Sequence, residues 1–193
     1  MIASLHGTLE SLGSDWATIN VNGVGFQVYM PTPTLSTLVA TGKEVHLHTH
    51  LVVREDGATL YGFSTTEELE LFQALIGVSG LGPRLALATL SAMNVEQVVT
   101  AIATGSVELL TLIPGIGKKM AERLILELKD KIGAGLLAIP TAQLAQENTD
   151  VIAVLASLGY SVSEASRAVA TLPPSNLSLE EKIKLALQYF GGK

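Results

Sequence analysis

Two short runs carry the residues best placed to do chemistry: Gly80-Leu81-Gly82-Pro83-Arg84 and Gly115-Ile116-Gly117-Lys118-Lys119. In each, paired glycines let a tight turn bring backbone N–H groups close to an oxyanion. A helix starting directly after the turn aims its unpaired N–H groups and the positive end of its dipole at the same point. Arg84 in the first run, and Lys118 and Lys119 in the second, add full charge. Such a device holds the phosphate backbone and not the bases, so its grip does not depend on base sequence. One Gly-x-Gly alone is as well explained by a turn joining two packed helices. Two copies, each followed by a basic residue and a helical pattern, favour phosphate. Nucleotide-binding loops do not fit. No third glycine stands three residues after Gly117, no strand leads in, and Lys119 replaces the Ser or Thr that should follow Lys118.

Two other groups invite a chemical reading. Glu55 and Asp56 lie together in Val52-Val53-Arg54-Glu55-Asp56-Gly57, between strand patterns. On composition this is a solvated turn. A metal centre lacks a third carboxylate nearby, and in a DNA binder the same acids would repel phosphates and hold duplex arms apart. His46, His48 and His50 fall on one strand face by the two-residue period. The array has the chemistry for zinc or nickel, but with no further ligand cluster beside it a solvated sheet face is the expectation. No metal and no cofactor are expected. The absence of cysteine excludes disulfides, iron–sulfur clusters and thiolate zinc sites.

The balance of charge argues against nucleic acid at first sight. Twelve basic against 18 acidic residues leave a net charge of -6, whereas phosphate binding relies on Lys and Arg displacing counterions. The basic residues must therefore gather locally if the hairpins are to work. Mean hydropathy is high, at +0.41. Yet the longest charge-free stretch, 16–42, is rich in Asn, Gly, Thr and Pro and holds no spanning helix. The N-terminus lacks a basic region followed by an apolar one; a cytoplasmic location is expected.

The elements that must position these residues form an α+β multidomain chain. Residues 1–63 read as β. Phe26, Val28 and Met30 alternate with Gln27 and Tyr29, and Val45, Leu47, Thr49, Leu51 and Val53 alternate with the histidines. Asn22-Gly23 signals a two-residue hairpin turn. About five short strands in this length suit a small barrel of the OB type. Residues 64–132 turn helical, starting at Thr65 and Thr66 with Glu68, and contain the two Gly-x-Gly runs 35 residues apart. A repeat of this length marks a duplicated supersecondary unit. Residues 133–149, with Gly133, Gly135 and Pro140 among Ala, Gln, Thr and Asn, read as a flexible linker. Residues 150–193 read as a small three-helix module. Val151, Val154, Leu155 and Leu158 share one face, Gly159-Tyr160 ends that helix, Ser163-x-x-Ser166 opens the next, and Pro173-Pro174 precedes the last. Leu155, Leu158, Tyr160 and Leu187 are either the core of this module or a surface that docks a partner; the residues alone leave both open.

In this order the elements resemble the RuvA family, DNA-binding subunits of the bacterial Holliday-junction branch-migration machine. The likeness runs the whole length. It is carried by Gly23-Val24-Gly25-Phe26, Arg54-Glu55-Asp56, Leu60-Tyr61-Gly62-Phe63, Gly80-Leu81-Gly82-Pro83, Pro114-Gly115-Ile116-Gly117-Lys118-Lys119 with Ala121-Glu122-Arg123-Leu124, and Leu158-Gly159-Tyr160. The resemblance implies a non-catalytic subunit that binds four-way junctions by structure and not by base sequence. It implies tandem helix-hairpin-helix elements using Gly80, Gly82, Pro83, Arg84, Gly115, Gly117, Lys118, Lys119 and Arg123. It makes Glu55 and Asp56 an acidic pin at the crossover. It assigns the last module, through Leu155, Leu158, Tyr160 and Leu187, to the RuvB ring ATPase, with the RuvC resolvase as a further partner. A homotetramer is implied, and one or two facing tetramers on the junction remain open. The rival reading is a helix-hairpin-helix repair enzyme, a glycosylase or nuclease, for which Asp130 and Asp150 are the poor candidates on offer.

Overall fold

The structure, a computed structural model, describes residues 1–38, 40–55, 57–133, 141–172 and 177–191. Asp56, residues 134–140 of the expected linker (Gly135 and Pro140 included) and the Pro173-Pro174 break lie outside the described residues. The chain forms two compact units, Met1–Ala92 and Met93–Lys193.

In the first unit β1 (Ser4–Leu12), β2 (Trp16–Val21), β3 (Val24–Tyr29), β4 (Glu44–Arg54) and β5 (Gly57–Phe63) close a barrel in the order β1-β2-β3-β5-β4. Only β3 and β5 pair in parallel, the others being antiparallel. This is the expected OB-type barrel. The two-residue period places Leu5, Leu9, Ala17, Ile19, Val28, Leu47 and Leu60 inside. Thr49, the polar residue in this inward row, satisfies its hydroxyl on the Ile2 carbonyl at 2.9 Å. Asn22 and Gly23 have φ of 51° and 90°, the left-handed pair that a two-residue turn requires. The Asn20 side chain locks this turn by accepting from the Gly23 N–H at 2.8 Å.

A short helix, α1 (Thr32–Thr37), links β3 to β4, and α2 (Thr66–Ile76) and α3 (Pro83–Ala92) follow the barrel. Thr65 caps α2, accepting from the Glu68 N–H at 3.2 Å. The Glu68 carboxylate in turn accepts from Ser64 N–H and from the Thr34 hydroxyl, so one side chain fastens both α1 and the chain leading into α2. Phe72 on α2 is fully buried, its ring 4.8 Å from Phe63 and 5.1 Å from Tyr61. That aromatic cluster seats the first hairpin on β5.

The inward–outward alternation of β4 puts the histidines outside, but they differ. His46 and His48 stack edge to face at 5.1 Å on the open surface, whereas His50 lies against Phe72 with Nδ1 3.3 Å from Gln73 Nε2. Facing an amide nitrogen, Nδ1 accepts, and the ring proton sits on Nε2. Burial lowers the His50 pKa from 6.5. The unfolded chain therefore takes up a proton first as pH falls, so the neutral ring's contribution is full above the unfolded value and is lost below it. The expected result is a melting temperature that declines as pH drops below 6.5, with a smaller decline in His50→Gln; thermal scans of the two proteins across pH check it.

The second unit contains α4 (Val95–Ala103), α5 (Val107–Leu110), α6 (Lys118–Gly133), α7 (Thr141–Ser157), α8 (Val162–Ala170) and α9 (Leu179–Gly191). Asn94 and Gln97 form a reciprocal capping box at the start of α4, satisfying two N–H groups that would otherwise be orphaned. The C-terminal helices pack onto α4 through α7. The seam there is polar: Asn148 donates to Glu96 at 2.9 Å, Gln97 donates to the Ala170 carbonyl at 3.2 Å, and the buried Lys182 donates to Asn148 at 3.5 Å.

Two expectations change here. Residues 141–149, expected as linker, are the first turns of α7. Ala, Gln, Leu and Glu in that stretch are good helix formers, a preference that the polarity of the segment conceals. The cap of α8 is Ser161, in a box with Glu164, while Ser163 lies inside the helix. By compactness the first hairpin groups with the barrel and the second with the C-terminal helices.

Candidate nucleic-acid interface

The two Gly-x-Gly runs fold into the same backbone structure, bond for bond. In the first, Val78 N–H donates to Leu75 O at 3.0 Å and Leu81 N–H to Val78 O at 3.0 Å. In the second, Ile113 N–H donates to Leu110 O at 3.2 Å and Ile116 N–H to Ile113 O at 3.0 Å. Apolar residues before and between the glycines anchor each loop: Val78, Leu81, Ile113 and Ile116 are all buried. Gly82 O then accepts from Ala86 N–H, and Gly117 O from Ala121 N–H, which makes these glycines the N-caps of α3 and α6. The buried Ala86 and Ala121 let each second helix pack closely behind its loop.

The four glycines divide by physical role. Gly80 and Gly115 have φ of 85° and 90°, a conformation that any side chain would strain. Gly82 and Gly117 do not, and a Cβ built on either meets nothing within 4 Å. Neither the backbone angle nor the packing of this molecule requires glycine there. An N-cap without a side chain leaves the first helical N–H groups uncapped and exposed, open to an outside acceptor.

Charge gathers around these caps as the hairpin reading requires. Arg84 is exposed beside Gly82, and Lys118, Lys119 and Arg123 are exposed along the first turns of α6. Lys118 lies 4.0 Å from Glu122, with its side chain 79% exposed, so this pairing is weak and leaves the ammonium in water. Pro83, at the first helical position of α3, has no N–H to offer, a difference between the copies. The first hairpin also gains what the sequence did not single out. Arg54, Thr59 and Tyr61 of the barrel share a concave surface with Gly82, Pro83 and Arg84. The Arg54 and Arg84 guanidiniums both act on Tyr61, pulling its pKa down against the larger upward push of burial.

Glu55 is exposed at the tip of the β4–β5 hairpin, directly after Arg54, which pairs with Gly57. Asp56 lies outside the described residues. Among the described residues no three His, Asp or Glu side chains are gathered as metal ligands, and no single helix is long and apolar enough to cross a membrane.

At the far end of the chain the four expected partner residues separate. Leu155 is fully buried among Val151, Ile152, Ala165, Ala168, Val169 and Ala186. It is core, and the expectation that it contacts a partner is corrected: on α7 it faces inward, one turn before Leu158. Leu158 is 58% exposed. Tyr160 is partly buried, its ring stacked 4.1 Å from Phe190. Leu187 packs against the core on one side and, with Ile183, lines an open apolar concavity of about 560 Å³ on α9.

Comparison with known proteins agrees with this layout. The family descriptions "RuvA N terminal domain", "SAM-like Helix-hairpin-helix tandem" and "RuvA, C-terminal domain" match residues 1–62, 72–130 and 146–190. A Holliday junction branch migration complex subunit RuvA from Dehalococcoides mccartyi (strain CBDB1) is 54% identical over 194 residues, covering 100% of both chains. The chain belongs to the RuvA family. A second RuvA, from Chloroflexus aggregans (strain MD-66 / DSM 9485), is 47% identical over 99% of each chain, and that of Stutzerimonas stutzeri (strain A1501) is 45% identical over 97% of this chain and 98% of its own. The RuvA layout of barrel, hairpin tandem and C-terminal helices is the fold described above.

Proposed function

We propose that this RuvA-family chain binds four-way junction DNA by shape and serves as the DNA-holding subunit of a branch-migration complex. The observation that carries the reading is the pair of matched N-caps, Gly82 and Gly117, where glycine serves nothing within the chain. Phosphates approaching these caps accept from the exposed N–H groups and meet Arg84, or Lys118, Lys119 and Arg123. The names of the relatives support the same reading. The chain is non-catalytic, works in the cytoplasm and assembles as a homotetramer. Junction arms lie on the hairpins, and Glu55 and Asp56 stand at the crossover. The RuvB ring ATPase docks on Leu158, Leu187 and the neighbouring apolar surface of the C-terminal helices, with Tyr160 bracing it and the RuvC resolvase as a further partner. A glycosylase or nuclease reading has no support in the site: Asp130 and Asp150 are exposed on α6 and α7, away from the hairpin turns in sequence.

The testing experiment is reconstitution. The chain, RuvB, ATP and Mg²⁺ are incubated with a labelled four-way junction. Dissociation into arms that needs all components is expected. Cleavage of a strand by the chain alone would overturn the non-catalytic assignment. A second prediction concerns the acidic tip. Glu55→Gln with Asp56→Asn removes repulsion of phosphates, so binding to linear duplex is expected to tighten several-fold, on the order of 1 kcal/mol, while junction binding holds or tightens less. Parallel gel shifts on both DNAs measure the ratio, and an unaltered ratio removes the tip from the mechanism.

A further inference from the structure

The first unit holds two adjoining concavities, and the cap at Gly82 opens on only one of them. Two concavities there share Thr59, Tyr61 and Arg84 as a common wall. The one toward the acidic tip, about 560 Å³, carries Arg54, Arg84 and the open cap at Gly82. Two arginines lining one concavity with the cap at Gly82 suit a phosphate. The other, about 600 Å³, is different in character. Its floor is apolar, with Met30 and Leu87 1% and 8% exposed. Asp15, Tyr29, Thr59 and Tyr61 line it as well and bring hydrogen-bonding groups. An apolar floor with a few hydrogen-bonding groups, in a volume of this size, is the make-up of a small-molecule site. A flat heteroaromatic ring with donors on its edge meets both demands.

A phosphate site joined to a ring site is a nucleotide site. We propose that the joined cavity receives one unpaired nucleotide at the branch point, its phosphate held between Arg54 and Arg84 and its base laid over Met30 and Leu87 with an edge toward Asp15. The proposal rests on the junction-binding reading and deepens it. Glu55 adjoins Arg54 at the end of β4, so a tip that repels strands is followed directly by a cation that catches one. A base released from pairing beside the tip would find the cavity within the same unit.

The test uses the full chain and a four-way junction carrying 2-aminopurine either at the nucleotide beside the crossover or in the middle of an arm. Gel shifts run in parallel set equal occupancy for every sample. Unstacking into the cavity is expected to raise emission roughly threefold or more for the branch-point probe, with little change for the mid-arm probe. Ala88 lines the cavity, and Ala88→Trp, which fills it, is expected to bring the branch-point signal down to the mid-arm level. Asp15→Ala, at an exposed position, is expected to lower it by about half through loss of the acceptor. No rise in the wild-type complex at saturation overturns the proposal, as does a full rise in both variants. Failure of the junction to shift at all overturns the junction reading, and this proposal with it, and is told apart by the gel.

Discussion

Valine at both Gly82 and Gly117 is expected to weaken junction binding by about 10²–10⁴-fold, from the loss of two charge-assisted contacts of roughly 1.5–3 kcal/mol each. The cause is steric: a branched Cβ stands where a phosphate must approach the cap. Because each site has free space within 4 Å and no left-handed φ, the fold should be kept, at a cost of about 1 kcal/mol per site from the poorer N-cap. The contrasting pair is Gly80→Val and Gly115→Val. There φ of 85° and 90° makes any side chain costly, about 1–2 kcal/mol per site before further strain, so binding falls together with stability. Isothermal binding and thermal melting on the four variants separate the two kinds of glycine. If Gly82→Val and Gly117→Val together leave affinity intact, the hairpins do not hold the DNA.

The second large effect belongs to the other end of the chain. Leu158→Asp places a charge in the centre of the proposed partner surface without disturbing the core, since this side chain is 58% exposed. A hot-spot residue of this kind is worth about 2–4 kcal/mol, so capture of RuvB is expected to drop by about 30- to 1000-fold. Junction binding by the same protein should be unaltered. Leu155→Ala makes the control. Its side chain is fully buried, so the expected cost is stability, about 2–5 kcal/mol, and any loss of partner binding should track unfolding. Pull-down and melting curves of both variants decide between a surface and a core role.

What could be read from the sequence was what local spacing encodes. The Gly-x-Gly runs specify their own loops, because the left-handed glycine, the buried residue after it and the N-cap lie within three positions. The barrel was legible because its strands alternate, and Asn22-Gly23 fixes a turn that few other pairs adopt. Capping was read less well. Thr65 is legible at the start of α2, whereas Ser161 and Ser163, two residues apart, offer the same signal, and only the reciprocal bond from Glu164 distinguishes them. The start of α7 was hidden because Ala- and Gln-rich segments look alike as linker and as helix until a neighbour is present; α4 is that neighbour. Leu155 and Leu158 share an apolar face by spacing, yet one is core and the other surface, because burial depends on α8 and α9 closing over only part of that face. The grouping of Arg54, Tyr61 and Arg84 was not legible at all. It arises from β4, β5 and α3 meeting in space, and no local pattern records that convergence.

The acidity of the chain also finds its place. With 18 acidic residues against 12 basic, attraction for DNA cannot be general; on the proposed reading it falls to the hairpin caps and the Arg54–Arg84 groove. A protein built in this way discriminates by geometry, because only a DNA shape that reaches the cationic sites while avoiding the acidic tip gains the full interaction.

The central claim is tested most directly by competition. A labelled four-way junction bound to the chain is challenged with linear duplex of equal total length across a series of salt concentrations. The duplex is expected to compete poorly at every salt, and junction affinity to decline steadily with salt, as phosphate contacts require. Equal competition by duplex and junction would contradict it, and would leave the hairpins as general backbone binders with no part in reading the junction's shape.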